Sequence, residues 1–176
     1  MTETIWWNTL STPFGDLGFA SSSAGLLSLL FPNAIDERDQ VLARLAPGSR
    51  IEPGTGQNDV AMQQVQEYLD GDRRTFDLPL DQRGTDFQKA VWNAVYAIPW
   101  GQTTTYGEIA RGIDRSDAVR AVGAANGANP LPIIVPCHRV IGADGSLTGF
   151  GGGLPLKRRL LTLEGVPFQQ GLGIGR

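Results

Sequence analysis

Residues 104–142 read TTYGEIARGIDRSDAVRAVGAANGANPLPIIVPCHRVIG, and the fold of the C-terminal half turns on how this stretch divides. Thr105 followed by Glu108 has the spacing of a capping box. In that motif the threonine hydroxyl accepts from a first-turn backbone N–H, and the glutamate accepts from the N–H of the cap residue. A short helix is expected from there through Ile109, ending by Gly112. Ser116 is then expected to cap a further helix, DAVRAVGAANGAN (117–129), made almost wholly of small residues. Two helices joined by a tight turn, the second slim enough to approach another backbone, match a helix-turn-helix. Two core helices of a helix-rich domain have the same pattern, and spacing alone does not separate the readings. Beyond Asn129, the prolines at 130, 132 and 136 forbid a helix. Ile133, Ile134, Val135, Val140 and Ile141 supply strand-like apolar bulk, so 130–141 reads as extended.

Working upstream, Thr85 and Gln88 have capping-box spacing, and Phe87, Ala90, Val91, Ala94, Val95 and Ile98 recur at helical period. That helix must stop near Pro99. The stretch LPLDQRGTD (78–86) marks a boundary, which divides the chain into domains 1–82 and 83–176. In the first domain the runs IWWNTL, GDLGFASS and AGLLSLLF are punctuated by Pro13, Gly15 and Gly25, the signature of a small antiparallel sheet. Two helical stretches follow, near 34–45 and 58–70, separated by the loop-like PGSRIEPGTG. In the second, Val60, Gln64 and Tyr68 with Ala61, Val65 and Leu69 make one helix face. Downstream of residue 142, GADG reads as a turn and FGGG as a glycine loop that lets a backbone come close. No Gly-Lys-Ser/Thr follows, so it is not a phosphate loop. Pro155 opens a last helix, LPLKRRLLTLEG, with Gly165 as its stop. The fold class is therefore α+β: a small N-terminal α/β domain with an antiparallel sheet, then a mostly helical domain containing a helix-turn-helix.

The chain has 176 residues, 41% hydrophobic and 19% charged, with one Cys and one His. That length buries a true core without disulfide staples, and the composition argues against disorder. A single Cys forms no intrachain disulfide, and one Cys with one His cannot build a Cys/His-rich tetrahedral zinc site. The N-terminus lacks the pattern of a signal peptide and no apolar run approaches membrane-helix length, so a cytoplasmic, reducing compartment is expected. The net charge of −3 hides an asymmetry: residues 1–82 carry five Arg against twelve acids, and residues 83–176 carry ten Lys or Arg against six acids. A basic half joined to an acidic half hints at nucleic-acid contact, although unevenly distributed solvated charge gives the same count.

The singletons Cys137 and His138 are adjacent. A thiolate is the reactive form of cysteine, and a free thiol with a pKa near ~8.5 is only slightly ionised at neutral pH. An imidazole that takes the proton raises the reactive fraction. Neighbours on an extended segment point to opposite faces, so direct contact needs a turn or a bridging water. The imidazole also needs an orienting acceptor, for which Glu164 is a candidate. A buried, inert cysteine beside a core histidine fits the same residues.

The core Pro-Cys-His-Arg-Val (136–140), with RAVGAANGANP (120–130), the Tyr in TTYGEIA (104–110) and the downstream glycine loop, resembles the active-site region of the O6-alkylguanine-DNA alkyltransferases. The resemblance is close over about residues 84–168; residues 1–83 fit the family's variable N-terminal domain by length and element order. It implies DNA repair by transfer of an alkyl group from O6 of guanine, less readily O4 of thymine, to the protein's own cysteine in a single turnover, with no cofactor. Cys137 would be the acceptor, His138 its water-mediated base and Glu164 the group that holds the imidazole. Tyr106 would donate toward guanine N3, and Asn129 would tie the recognition helix to the active-site segment. Arg139 would be structural. The carbonyls of Cys137 and Val140 would read the exocyclic amine, the Gly151 N–H would face O6, and Phe150, Gly152 and Pro132 would complete the base pocket.

On the DNA side the resemblance implies double-stranded DNA bearing O6-alkylguanine, entered by the minor groove, with the damaged nucleotide flipped out. Arg120 would fill the gap, and Tyr106, Ser116, Ala121, Gly123 and Ala124 would lie against the duplex. A monomer without membrane contact is implied; cooperative binding along DNA stays open. Some relatives carry a structural zinc in the N-terminal domain, for which residues 1–83 offer no Cys or His. Phe150 stands where many have Tyr, and Gly151 where some have Ser, which bears on substrate range. Related lesion-binding proteins have Trp at the cysteine position, and Cys137 argues against that class. A cysteine hydrolase remains the other reading of the Cys–His pair.

Overall fold

The computed structural model describes residues 1–54 and 57–167, and divides into two compact units. The first takes in Met1–Thr85 and also Pro130–Ile134; the second comprises Asp86–Asn129 and Val135–Arg176. A single cut at residue 82 therefore misses a five-residue return of the chain to the first unit, where the Leu29 N–H donates to the Pro130 carbonyl at 2.8 Å.

The first unit is built on a four-stranded sheet in the order β3-β2-β1-β4. Strand β1 (Thr4–Thr12) pairs antiparallel with β2 (Gly15–Ser21), which pairs antiparallel with β3 (Leu26–Leu30). The expected antiparallel ribbon is present. It gains a strand that the sequence concealed: β4 (Arg50–Pro53) adds parallel to β1, with Ile5 opposite Ile51. Four residues among Gly and Pro carry too little alternation to be read as a strand. Gly18 is needed for packing, because a Cβ there would overlap the Trp7 ring. The outer edge of β3 is covered: Leu26 donates to the Pro79 carbonyl and the Asp81 N–H donates back to Leu26, both at 2.8 Å. This pairing removes an exposed edge, and LLSLL is buried throughout.

A 3-10 turn (Pro32–Glu37) leads into α1 (Arg38–Leu45), and α2 (Gln57–Leu69) follows β4. Ile5, Ala20, Leu27, Leu42 and Ala46 form one core cluster under the sheet. Helix α2 buries Ala61, Gln64, Val65 and Tyr68 of the expected face, whereas Val60 at its margin is exposed and Leu69 is half-buried. Gln64 exchanges two hydrogen bonds with the Asp77 backbone and so fastens the chain leaving the helix.

In the second unit, α3 (Asp86–Tyr96) buries Val91, Trp92 and Val95, and the Trp92 indole N–H donates to the Ala125 carbonyl at 2.8 Å. Ala125 belongs to α5 (Val119–Gly127), which follows α4 (Tyr106–Gly112) across a short turn. Full burial of a large side chain stabilises by roughly 1.5–3 kcal/mol, so Trp92 is a principal tie between α3 and α5. Two-residue strands β5 (Thr104–Thr105) and β6 (Val140–Ile141) pair in parallel, and α6 (Leu154–Leu163) closes the described chain.

Candidate active site

The capping box at α4 forms as its spacing predicts: Thr105 Oγ1 accepts from the Glu108 N–H, and Glu108 accepts from the Thr105 N–H. Helix α4 therefore begins at Tyr106. The pairing of Thr104 with Val140 and Thr105 with Ile141 sets the start of this helix beside the segment that leaves Cys137. Ser116 does not cap α5. The helix begins at Val119 behind Ala118, which has no side-chain cap, while Ser116 stays exposed in the turn. The backbone bond from Ala118 N–H to Arg115 O closes that turn and delays the helix start by two residues. Arg120, Ala121 and Ala124 are exposed, Gly123 is half-buried, and Val122, Ala125 and Asn126 point inward. Apart from the exposed Val119 at its start, the outward face of α5 thus presents Arg120 among residues with almost no side chain.

The segment expected to be extended before the cysteine is bent instead. Pro136 has φ −80° and ψ 66°, the dihedrals of an inverse γ-turn, and the Cys137 N–H donates to the Val135 carbonyl at 2.8 Å. Asn129 Nδ2 donates to the same carbonyl at 2.8 Å. Three successive residues, Cys137–Arg139, then form a 3-10 turn. Proline pre-sets φ for this bend, and Asn129 holds it. Ile133, just upstream, has φ 72°, a strained conformation for a β-branched residue.

Cys137, His138 and Arg139 are all buried. Glu164 organises the charged part of the site. His138 Nε2 lies 2.7 Å from Glu164 Oε1, while Arg139 donates through Nε to Oε2 at 2.9 Å and through a second nitrogen to Oε1 at 3.0 Å. Arg139 also donates to the Ile98 carbonyl. A carboxylate clamped by a bidentate guanidinium is an acceptor, so His138 Nε2 carries hydrogen and Nδ1 carries the lone pair. Burial pushes the His138 pKa down, opposed by Glu164 and reinforced by Arg139 and Lys157. The imidazole is neutral at pH 7 and able to accept a proton.

Glu164 owes its place to the end of α6. The Gly165 N–H donates to Thr162 O and the Val166 N–H to Leu161 O, with Gly165 at φ 70°. That is a Schellman closure, which requires the left-handed residue that the glycine stop supplies. Glu164 is the cap residue immediately before it.

The residue that sequence reasoning missed is Lys157. Its side chain is fully buried, and Nζ donates to the carbonyls of Val140 at 2.6 Å and Thr148 at 3.2 Å. The signal was present: Lys157 falls on the same α6 stripe as Leu160, Leu161 and Glu164, where a charge needs a reason. Burial pushes its pKa down to about 8, partly offset by the nearby Cys137. Burial also pushes the Cys137 thiol up, while Asn129, the Lys157 charge and backbone N–H groups pull it down. This thiol sits in a closed site provided with a cation and hydrogen-bond donors.

Tyr106 reaches across to the glycine-rich stretch, where its hydroxyl lies 2.8 Å from Thr148 Oγ1. Its ring also lies over α5: a Cβ on Gly123 would stand 3.8 Å from Tyr106 Cδ1. Phe150 presents an edge-on ring to His138, with centroids 6.5 Å apart. Gly151 is exposed and Gly152 half-buried, whereas Pro132 is buried in the excursion that packs with the first unit. The second unit thus brings together Cys137, His138, Glu164, Asn129 and Val140, with Tyr106 and Phe150 alongside.

Comparison with known proteins follows the same division. Residues 86–166 match the model of the 6-O-methylguanine DNA methyltransferase DNA binding domain, and residues 5–82 match that of its ribonuclease-like domain. The chain belongs to the 6-O-methylguanine DNA methyltransferase family. It is 46% identical over 162 residues to a Mycobacterium tuberculosis methylated-DNA–protein-cysteine methyltransferase, covering 91% of this chain and 92% of that one. It is 43% identical to an inducible methyltransferase of the same description from Bacillus subtilis, covering 92% and 90%. A solved structure of Mycobacterium tuberculosis OGT in complex with DNA superposes with a TM-score of 0.76 at 45% identity, covering 92% of each chain. Family membership extends over both units, including the first, where the sequence resemblance rested on length and element order.

Proposed function

We propose that this protein repairs alkylated DNA directly, by moving the alkyl group of O6-alkylguanine, less readily O4-alkylthymine, onto Cys137 in one irreversible turnover. The observation that carries this reading is the lone cysteine of a methyltransferase-family chain, buried beside a neutral imidazole that Glu164 orients. His138 Nδ1 takes the thiol proton across a bridging water. The thiolate attacks the alkyl carbon in line with the C–O6 bond; the S–C bond forms as C–O6 breaks, and the electron pair leaves with guanine. Tyr106 protonates N3 of the departing base, and the proton lost by the thiol replaces the one Tyr106 gave. Net, the thiol proton ends on guanine and the protein keeps a thioether. That bond has no ready route to hydrolysis, so there is no second turnover.

The protein binds DNA, and the proposed mode is the minor groove. The outward face of α5, with Arg120 amid Ala121, Gly123 and Ala124, suits close approach to a groove whose edges carry little sequence information. Arg120 takes the gap left by a flipped nucleotide, an extrusion that costs a few kcal/mol. Phe150, Gly151 and Gly152 border the flipped base, and the Val140 carbonyl reads its exocyclic amine. The protein acts as a monomer in a reducing, cytoplasmic setting, which suits a chemistry that consumes an unoxidised thiol. The test is stoichiometric: with excess O6-methylguanine duplex, methyl transfer is expected to stop at one equivalent per chain. Continued release of repaired DNA beyond one equivalent would exclude the mechanism.

A further inference from the structure

Tyr106 and Thr148 are 42 residues apart, yet their hydroxyl oxygens lie 2.8 Å from each other. The contact is anchored from the protein side. The Thr148 carbonyl accepts from Lys157 Nζ at 3.2 Å, and that nitrogen is held in turn by the Val140 carbonyl at 2.6 Å. Lys157 is fully buried, so its bonds set the Thr148 backbone against the strand that leaves the cysteine. A phenol that donates its proton to a base has only lone pairs left for its other neighbour. The hydroxyl beside it must therefore be the donor at that moment.

We infer that Thr148 is a positioning residue for Tyr106: its hydroxyl donates to the phenol oxygen, turns the Tyr106 O–H toward the flipped base, and stabilises the charge that develops there. The inference rests on the reading of Tyr106 as the proton donor. As the phenol O–H bond breaks and the N3–H bond forms, negative charge gathers on the phenol oxygen. Thr148 keeps its own proton throughout and donates a hydrogen bond to that charge. Hydrogen bonds to developing charge are stronger than those to neutral groups, so the contact favours the transition state over the resting site.

The experiment is a double-mutant cycle on single-turnover methyl transfer from an O6-methylguanine duplex, using the full chain. Thr148→Val is expected to slow transfer about 3- to 10-fold, the range of one lost hydrogen bond, and Thr148→Ser to stay within about twofold of the wild type. In a Tyr106→Phe background, Thr148→Val is expected to add no more than about twofold, because the partner it serves is gone. Thr148→Ala, which fills less space, must show the same coupling, and thermal unfolding of each variant separates slow chemistry from lost fold. Wild-type rates in Thr148→Val, or multiplicative effects in the double variant, overturn the role of Thr148 while leaving that of Tyr106 intact. A wild-type rate in Tyr106→Phe instead overturns the reading of Tyr106 on which the inference stands.

Discussion

Glu164 holds two neighbours of the reactive thiol at once, His138 and Arg139, inside a buried site. Removing Arg139 would leave the carboxylate uncompensated in low dielectric. Arg139→Ala is expected to cost about 3–5 kcal/mol, measured by denaturant unfolding, more than its surface counterparts by several-fold. The imidazole gives a pH signature. Burial depresses the folded His138 pKa below its unfolded value near ~6.5, so on acidification the unfolded chain binds the proton first. Stability contributed by neutral His138 is therefore present above about pH 6.5 and is lost as pH falls below it; His138→Gln should flatten that limb of the unfolding free energy. Reactivity of the thiol adds a second signature. Without DNA, Cys137 is expected to react with iodoacetamide at pH 7 more slowly than an unhindered cysteine, because burial raises its pKa. Lys157→Met should slow it further, and the gap should narrow above about pH 8, where wild-type Lys157 gives up its own proton. A faster-reacting Lys157→Met protein would deny the cation its part. At this scale the sequence was legible for types and opaque for partners. The Cys–His adjacency and Glu164 could be read, but Lys157 looked like a member of a basic run, Lys-Arg-Arg, until its burial separated it from Arg158 and Arg159.

At the scale of elements, two helix ends aim the site. The capping box places Tyr106 at the first position of α4, and the Schellman closure of α6 holds Glu164. Thr105→Ala is expected to cost ~1 kcal/mol of stability. It should also slow transfer, since the element it releases carries Tyr106. Gly165→Ala should cost on the order of 1 kcal/mol for a side chain forced into a left-handed conformation. Both are checked by thermal unfolding alongside single-turnover rates. These local signals were readable because a cap is written in residues three or four apart. What could not be read were pairings between distant segments: β4 beside β1, and β5 beside β6, each too short to show a period. The extended reading of 130–141 holds only at Val140–Ile141 and fails around the cysteine for a related reason. Prolines exclude a helix but do not choose between a strand and the γ-turn with 3-10 turn that turns Cys137 and His138 inward. Ser116 misled because a good cap residue stood three positions before a helix that starts without one.

At the scale of the whole molecule, charge and chemistry separate the two halves of the sequence. The excess of Lys and Arg in residues 83–176 should make duplex binding strongly salt-dependent, because each neutralised phosphate releases counterions. Arg120→Ala is expected to slow repair of duplex DNA at least ~10-fold while leaving reaction with free O6-benzylguanine within about twofold. The flipped nucleotide leaves a gap only in a duplex. Equal losses on both substrates would place Arg120 in the chemistry instead. The central claim reduces to a single atom, since the chain has one cysteine and its sulfur must take the alkyl group. Peptide mass spectrometry of the protein after incubation with an O6-methylguanine duplex tests it most directly. One methyl group on the peptide containing Cys137, localised to its sulfur and absent from a Cys137→Ser control, is the expected result; repaired DNA with an unmethylated Cys137 would contradict it.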